Sequence, residues 1–237
     1  MATEMATATT EKNEAVSDGI TLLFELENVA VPGRKRLYDL LKKSLTAAGV
    51  QLNPGLFSRF GLKPTAEQCV ASLVENAGSG KGNAEKIGAE VSEAFSQELR
   101  GKIEANPAVV KLLQSAAKKG FRIGALSALA EEDATAVLQK LGLAGDVKLS
   151  AHKPTEPNYP HAESWVKLLK LFGKSTAPAV AIVSSQLASK TALAAGLRVV
   201  VLPDEFTSFQ DFGGADIVVD SAEDLSVADI IATIAVK

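Results

Sequence analysis

Two glutamates follow an apolar run near the start of the chain. The stretch TLLFELENVAV, residues 21–31, places Glu25 and Glu27 at alternate positions between apolar segments. A carboxylate is costly to remove from water, so two of them at the end of a buried strand indicate chemistry rather than packing. A carboxylate in such a place can act as a general base. Glu25 and Glu27 are therefore the first candidates for an active site.

The elements that would position these glutamates form a repeating pattern after residue 106. Apolar segments typical of strands alternate there with segments of helical spacing. The predicted strands are 121–126, 146–150, 177–183, 198–202 and an edge strand at 215–219, and the predicted helices are 107–119, 131–141, 161–172, 186–195 and 222–236. Strands this apolar on both faces indicate a parallel sheet covered by helices. Ligands of such sheets bind beyond the carboxyl ends of the strands, where Glu25, Ser127 and Ser184 lie.

The segment between the first strand and this alternation has a different character. It contains three helical patterns, 34–48, 65–76 and 84–103, and no convincing strand. A helical insert at this point predicts a cap over the site. We therefore expect an α/β core of residues 19–33 and 105–237, a helical cap of residues 34–104, and a disordered tail of residues 1–18, which is small, polar and charged.

The order of these elements resembles the haloacid dehalogenase superfamily, in the type that carries a helical cap after strand one. That type includes phosphoglycolate phosphatase-like and β-phosphoglucomutase-like enzymes. The segments NPAVVKLLQSAAKKGFRIGALS, HKPTEPNYPHAESWVKLLKLFG and VAIVSSQLASKTALAAGLRVVVL resemble the regions of the family's second, third and fourth motifs. The resemblance covers nearly everything after the tail. It implies a Rossmannoid three-layer core with a parallel sheet and a small helical cap.

The resemblance also assigns roles to particular positions. The family's first aspartate attacks phosphorus and a second, two residues on, acts as acid and base; Glu25 and Glu27 stand at these positions. Ser127 matches the hydroxyl and Lys153 the ammonium that hold the phosphoryl oxygens, with Tyr159 where an aromatic residue is common. Val183 and Ser184 occupy the fourth-motif positions of the acids that help to hold Mg²⁺.

These substitutions predict a damaged catalytic site. A glutamate reaches about 1 Å farther than an aspartate, and a misplacement of about that size can cost about 10²-fold in rate. Mg²⁺ needs near-octahedral oxygen ligands, whereas Ser184 offers a neutral hydroxyl and Val183 offers none. We expect a protein that is inactive or very weakly active and keeps a residual phosphate or anion site at Ser127 and Lys153. No cofactor is expected.

One enzymatic alternative stays open. It is a phosphatase or other hydrolase of a small phosphorylated metabolite, with Glu25 or Glu27 as a general base; Mg²⁺ would be needed only in this case. The expected ligand is a small phosphorylated metabolite or an inorganic anion. A homodimer or a protein partner is open as well.

Composition and charge exclude several classes of function. A formal net charge of -3, with Lys and Arg spread along the chain, gives no footprint for nucleic acid or an anionic membrane. The single cysteine fits a reducing compartment, and no apolar run approaches membrane-spanning length, so we expect a cytoplasmic protein.

GSGKGN, residues 78–83, lacks the full phosphate-loop spacing and is interpreted as a helix–helix connection. The basic cluster at residues 34–36 is interpreted as a solvated helix start.

Overall fold

Glu25 ends an inner strand of the sheet. The computed structural model describes residues 19–77, 83–101, 104–173 and 178–235. Within them, six parallel strands form one sheet in the order β3-β2-β1-β4-β5-β6. The strands are β1 Thr21–Glu25, β2 Arg122–Ser127, β3 Val147–Ala151, β4 Ala179–Val183, β5 Arg198–Val201 and β6 Ile217–Val218. Because β1 lies between β2 and β4, their carboxyl ends meet around Glu25.

Helices cover both faces of this sheet and also form the insert after β1. Their bounds are α1 Gly33–Ala47, α2 Ala66–Asn76, α3 Ala84–Gly101, α4 Pro107–Lys118, α5 Glu131–Lys140, α6 Ala162–Lys170, α7 Gln186–Ala194 and α8 Val227–Ala235. Short helical turns lie at Leu26–Ala30, Pro54–Leu56, Phe57–Gly61 and Ala222–Asp224. None of the described helices is both long and apolar enough to cross a membrane.

The alternation of side chains along β1 builds the two faces of the core. Leu22 and Phe24 pack in one apolar cluster with α4, α5 and α8, whereas Leu23 packs in a second cluster with α6 and α7. Successive side chains of a strand point to opposite faces, and both faces of this strand are buried. The α/β fold with a parallel sheet between helical layers is therefore as predicted.

The insert between β1 and β2 has a core of its own. Buried side chains of α1, α2 and α3, among them Leu41, Leu73 and Val91, form a third apolar cluster. The predicted helical insert after the first strand is confirmed, and the described ends of its three helices lie within one residue of the predicted ends. The turns at Pro54–Leu56 and Phe57–Gly61 were not predicted. The predicted tail of residues 1–18 and most of the GSGKGN connection lie outside the described residues.

Candidate active site

Glu25 is held by the end of the neighbouring strand. It is the last residue of β1, and its side chain is buried. Its Oε2 accepts hydrogen bonds from the Ser184 backbone N–H at 2.6 Å and from the Ser184 hydroxyl at 2.9 Å. Burial raises the pKa of Glu25, while the Arg34 guanidinium and the Ser184 donors oppose that rise. The carboxylate that the family resemblance assigns to the nucleophile position is thus hydrogen-bonded to the protein itself.

Glu27 lies in the helical turn that follows β1 and reaches across to β2. Its Oε1 accepts hydrogen bonds from the Ser127 hydroxyl, from the Ala128 N–H at 2.9 Å and from the Leu129 N–H at 3.2 Å. Burial raises the pKa of Glu27 to about 7, although these donors favour the charged form. A carboxyl group with such a pKa exchanges its proton near neutral pH.

Ser127 is committed to that glutamate. Its hydroxyl is buried at the end of β2 and donates to Glu27, while its carbonyl oxygen accepts from the Tyr159 hydroxyl at 3.0 Å. Tyr159 also packs edge-on against His152, with ring centroids 4.8 Å apart. The predicted phosphate-holding hydroxyl therefore lies at the expected strand end, where the Glu27 carboxyl group accepts its hydrogen bond.

Lys153 lies in the loop after β3 and points toward the cap. Its Nζ forms an ion pair of 2.7 Å with Oε1 of Glu67 at the start of α2, and its side chain is 60% exposed. Nearby, the Gln68 side chain donates to the Thr155 carbonyl at 3.4 Å. The structure thus gives Ser127 and Lys153 different glutamate partners.

The two positions at the end of β4 carry no acid. Val183 is the last residue of β4 and packs in the apolar core, and Ser184 is fully buried. The Ser184 carbonyl accepts from the Thr207 hydroxyl at 2.7 Å, so the loop after β5 is fastened to this strand end. Ser184 therefore acts as a donor to Glu25 in the place where the family resemblance implies a metal-binding acid.

Arg34 and Asp204 are site residues that the sequence analysis missed. The Arg34 side chain is only 10% exposed; it forms an ion pair with Asp204 and donates to the Ser184 hydroxyl at 3.2 Å. The interpretation of residues 34–36 as a solvated helix start is wrong for Arg34, because α1 begins directly beside the strand ends. A signal for Asp204 was available, since it follows β5 closely and so lies at the same edge of the sheet.

A cavity of about 600 Å³ separates the cap from the strand ends. The core contributes Glu25, Glu27 and Lys153 to its lining, and the cap contributes Arg34 and Glu67. A cavity of this size accommodates a small metabolite. Carboxylates and cations both line the cavity, so a bound ligand would contact groups of both charges.

Several proteins of known structure have a similar architecture. No protein-family model matches the chain. Protein CbbY from Rhodobacter capsulatus is 31% identical over 151 residues, which span 60% of this chain and 66% of that protein, just under two thirds of its length. The crystal structure of CbbY from Rhodobacter sphaeroides in complex with phosphate has a TM-score of 0.70 at 19% identity and covers 89% of this chain and 97% of its own. A mutant of the same protein was crystallised with xylulose-1,5-bisphosphate.

A third similar protein carries the family name. It is a haloacid dehalogenase-like hydrolase from Streptococcus pneumoniae, with a TM-score of 0.68 at 13% identity, covering 92% of this chain and 99% of its own. The chain has the haloacid dehalogenase-like fold along nearly all of its described length.

The residues present do not fit the divalent cation that the family resemblance implies. Ser184 points its N–H and its hydroxyl proton at Glu25, and the Arg34 guanidinium contacts the same hydroxyl. Among the described residues, no group of three His, Cys, Asp or Glu side chains is arranged to hold a metal ion. Mg²⁺ requires several oxygen ligands in near-octahedral geometry. This site instead presents donors and a fixed cation.

Proposed function

We propose that this chain binds a small phosphorylated metabolite or an inorganic anion in the cavity and does not catalyse ordinary Mg²⁺-dependent phosphoryl transfer. The observation that carries the proposal is that Val183 and Ser184, at the end of β4, carry no acid where the family resemblance implies metal-binding acids. Ser184 gives two hydrogen bonds to the Glu25 carboxylate, which therefore meets donors where a metal would be needed. Without a metal, glutamates 25 and 27 would repel a phosphate dianion when ionised.

Cations and pH can offset that repulsion. Lys63, Lys153 and Arg34 line the cavity, and the related CbbY protein was crystallised with phosphate. The raised pKa of Glu27, about 7, leaves this group largely uncharged in mildly acidic solution. We therefore expect anion binding to tighten as the pH falls from 8 to 6.

Sulfate is a suitable probe, because its charge stays constant over this pH range. Sulfate should raise the melting temperature more at pH 6 than at pH 8, and Mg²⁺ should have no specific effect. Lys153→Met should diminish the sulfate shift by removing a cation. Glu67→Gln should enlarge it, because the 2.7 Å ion pair that engages Lys153 is lost.

The variants also provide the control. Sulfate stabilises folded proteins generally, so the difference between variants at equal ionic strength decides the outcome. Lys148→Met removes an exposed lysine of β3 and should leave the shift unchanged. A sulfate shift that is the same in wild type, Lys153→Met and Glu67→Gln would contradict the predicted site, as would strong stabilisation by Mg²⁺ alone.

One observation favours a second candidate, a hydrolase with an unusual glutamate-based site. Glu27 lines the cavity, and a pKa of about 7 suits a general acid or base that works at neutral pH. This candidate requires phosphoester hydrolysis that is lost in Glu27→Gln. Its pH profile should then follow the ionisation of Glu27.

A further inference from the structure

The Arg34 guanidinium lies at the carboxyl ends of the strands, against Ser184. One terminal nitrogen of its guanidinium donates to the Ser184 hydroxyl at 3.2 Å, and the other is paired with Asp204. The same hydroxyl donates to Glu25 at 2.9 Å. The guanidinium thus lies against Ser184 and close to Glu25, the two positions to which the family resemblance assigns metal ligands.

The partner of this guanidinium is itself firmly held. Oδ1 of Asp204 accepts the Phe206 N–H at 2.9 Å, while Oδ2 faces Arg34. The Phe206 ring packs between those of Tyr38 and Phe57, at centroid distances of 5.0 Å and 4.9 Å, in the core of the cap. Asp204 therefore meets Arg34 because the loop after β5 is anchored in the cap.

The opposite side of the pair is fixed as well. Arg34 is the second residue of α1, and a Cβ on the preceding Gly33 would lie 2.3 Å from the carbonyl oxygen of Glu27. This close approach brings the start of α1 against the turn after β1. Because most of the Arg34 side chain is buried, the guanidinium cannot leave easily for solvent.

We propose that Arg34 is a built-in cation that takes the place of the divalent metal and closes this site to metal binding. A guanidinium stays protonated at all physiological pH values, so its charge is permanent. A divalent ion in contact with Glu25 and residue 184 would meet this like charge at close range in a site screened from water. The inference rests on the proposed function, since it explains how the site is stable without Mg²⁺.

This proposal predicts that restoring a carboxylate is not sufficient to restore a metal site. In Ser184→Asp, the new carboxylate should pair with Arg34 and Mn²⁺ should not bind at millimolar concentration. In the double variant Arg34→Met with Ser184→Asp, the unbranched methionine side chain keeps the apolar packing of the arginine but lacks its positive charge. Mn²⁺ should then bind at least tenfold more tightly than to Ser184→Asp, as measured by calorimetry or by the electron paramagnetic resonance signal of free Mn²⁺.

Two further variants separate charge from other causes. Arg34→Lys with Ser184→Asp keeps a positive charge and should still exclude Mn²⁺. Arg36→Ala with Ser184→Asp removes a different arginine of α1. Arg36 forms no ion pair within the described part of the chain, so this variant should behave like Ser184→Asp alone. Circular dichroism verifies folding; if the Met double variant does not fold, the Lys double variant decides, and Mn²⁺ binding to it would overturn the proposal.

Two other results would overturn it. One is tight Mn²⁺ binding by Ser184→Asp alone, and the other is no gain in binding when the folded Arg34→Met variant is compared with it. Neither result depends on enzymatic activity. The proposed function fails separately, if the wild-type protein shows Mg²⁺-dependent turnover of phosphoesters.

Discussion

At the scale of single residues, Glu27 has the most telling environment. It is buried, yet three donors converge on one of its oxygens. The donors favour the carboxylate, and desolvation favours the neutral acid; desolvation prevails, so the pKa lies near 7. Ionised Glu27 consequently destabilises the folded protein in alkaline solution, whereas below pH 6 the group is largely neutral and its burial is not penalised.

This balance predicts how stability depends on pH. The pKa of Glu27 is raised from 4.5 to about 7 by folding, so the native state binds more protons than the unfolded state between these values. Stability therefore falls as the pH rises through this window, by about 3 kcal/mol from this group. Glu27→Gln keeps an acceptor for the same donors and cannot ionise. From pH 5 to pH 8, the free energy of unfolding of Glu27→Gln should therefore rise by about 2–3 kcal/mol relative to that of wild type.

Urea unfolding at a series of pH values measures this difference. Glu132→Gln, which changes an exposed glutamate of α5, is the control and should track wild type. Parallel curves for Glu27→Gln and wild type would show that the folded protein does not raise the pKa of Glu27.

The candidate residues at the strand ends could be predicted in part from the sequence. The rule that ligands bind beyond the carboxyl ends of parallel strands located Glu25, Ser127 and Ser184. It could not reveal that Ser127 pairs with Glu27 and Ser184 with Glu25, because those contacts depend on the register of three strands. Arg34 was misjudged for a related reason, since burial of a helix start depends on tertiary packing.

At the scale of elements, the helical turn after β1 determines the geometry of the site. It turns the chain so that Glu27 faces β2 and so that α1 begins beside β4. Gly33 is required at this point, because its missing side chain admits the Glu27 carbonyl oxygen. Neither the turn nor the close approach follows from hydrophobic periodicity. Periodicity did identify β1 through β6, including the edge strand, and the helices, since apolar spacing is decided locally.

Gly33→Ala should therefore destabilise the protein. The added Cβ would lie 2.3 Å from the Glu27 carbonyl oxygen, so the start of α1 must shift. Overpacking of this kind costs about 1–3 kcal/mol, although alanine favours helix elsewhere. The matched control is Gly101→Ala at the end of α3, where nothing lies within 4 Å of the added atom. Equal urea midpoints for the two variants would refute the requirement for glycine at position 33.

At the scale of the whole molecule, several contacts hold the cap on the core. Besides the pair of Lys153 with Glu67, Arg100 of α3 forms an ion pair of 3.1 Å with Asp133 of α5. Phe206 of the core packs inside the cap. The sequence predicted the cap from an all-helical segment, whereas these pairings join residues far apart in the chain and could not be inferred from it. The result is a cavity between cap and core that is lined by both carboxylates and cations.

Turnover tests the central claim most directly. Wild type and Glu25→Ala should be assayed side by side on a panel of small phosphate monoesters, including a sugar bisphosphate, with and without Mg²⁺. The proposed function predicts that wild type is indistinguishable from Glu25→Ala under both conditions, because Ser184 and Arg34 present hydrogen-bond donors to this site and no metal-binding carboxylate. Mg²⁺-dependent hydrolysis by wild type that disappears in Glu25→Ala would contradict this account.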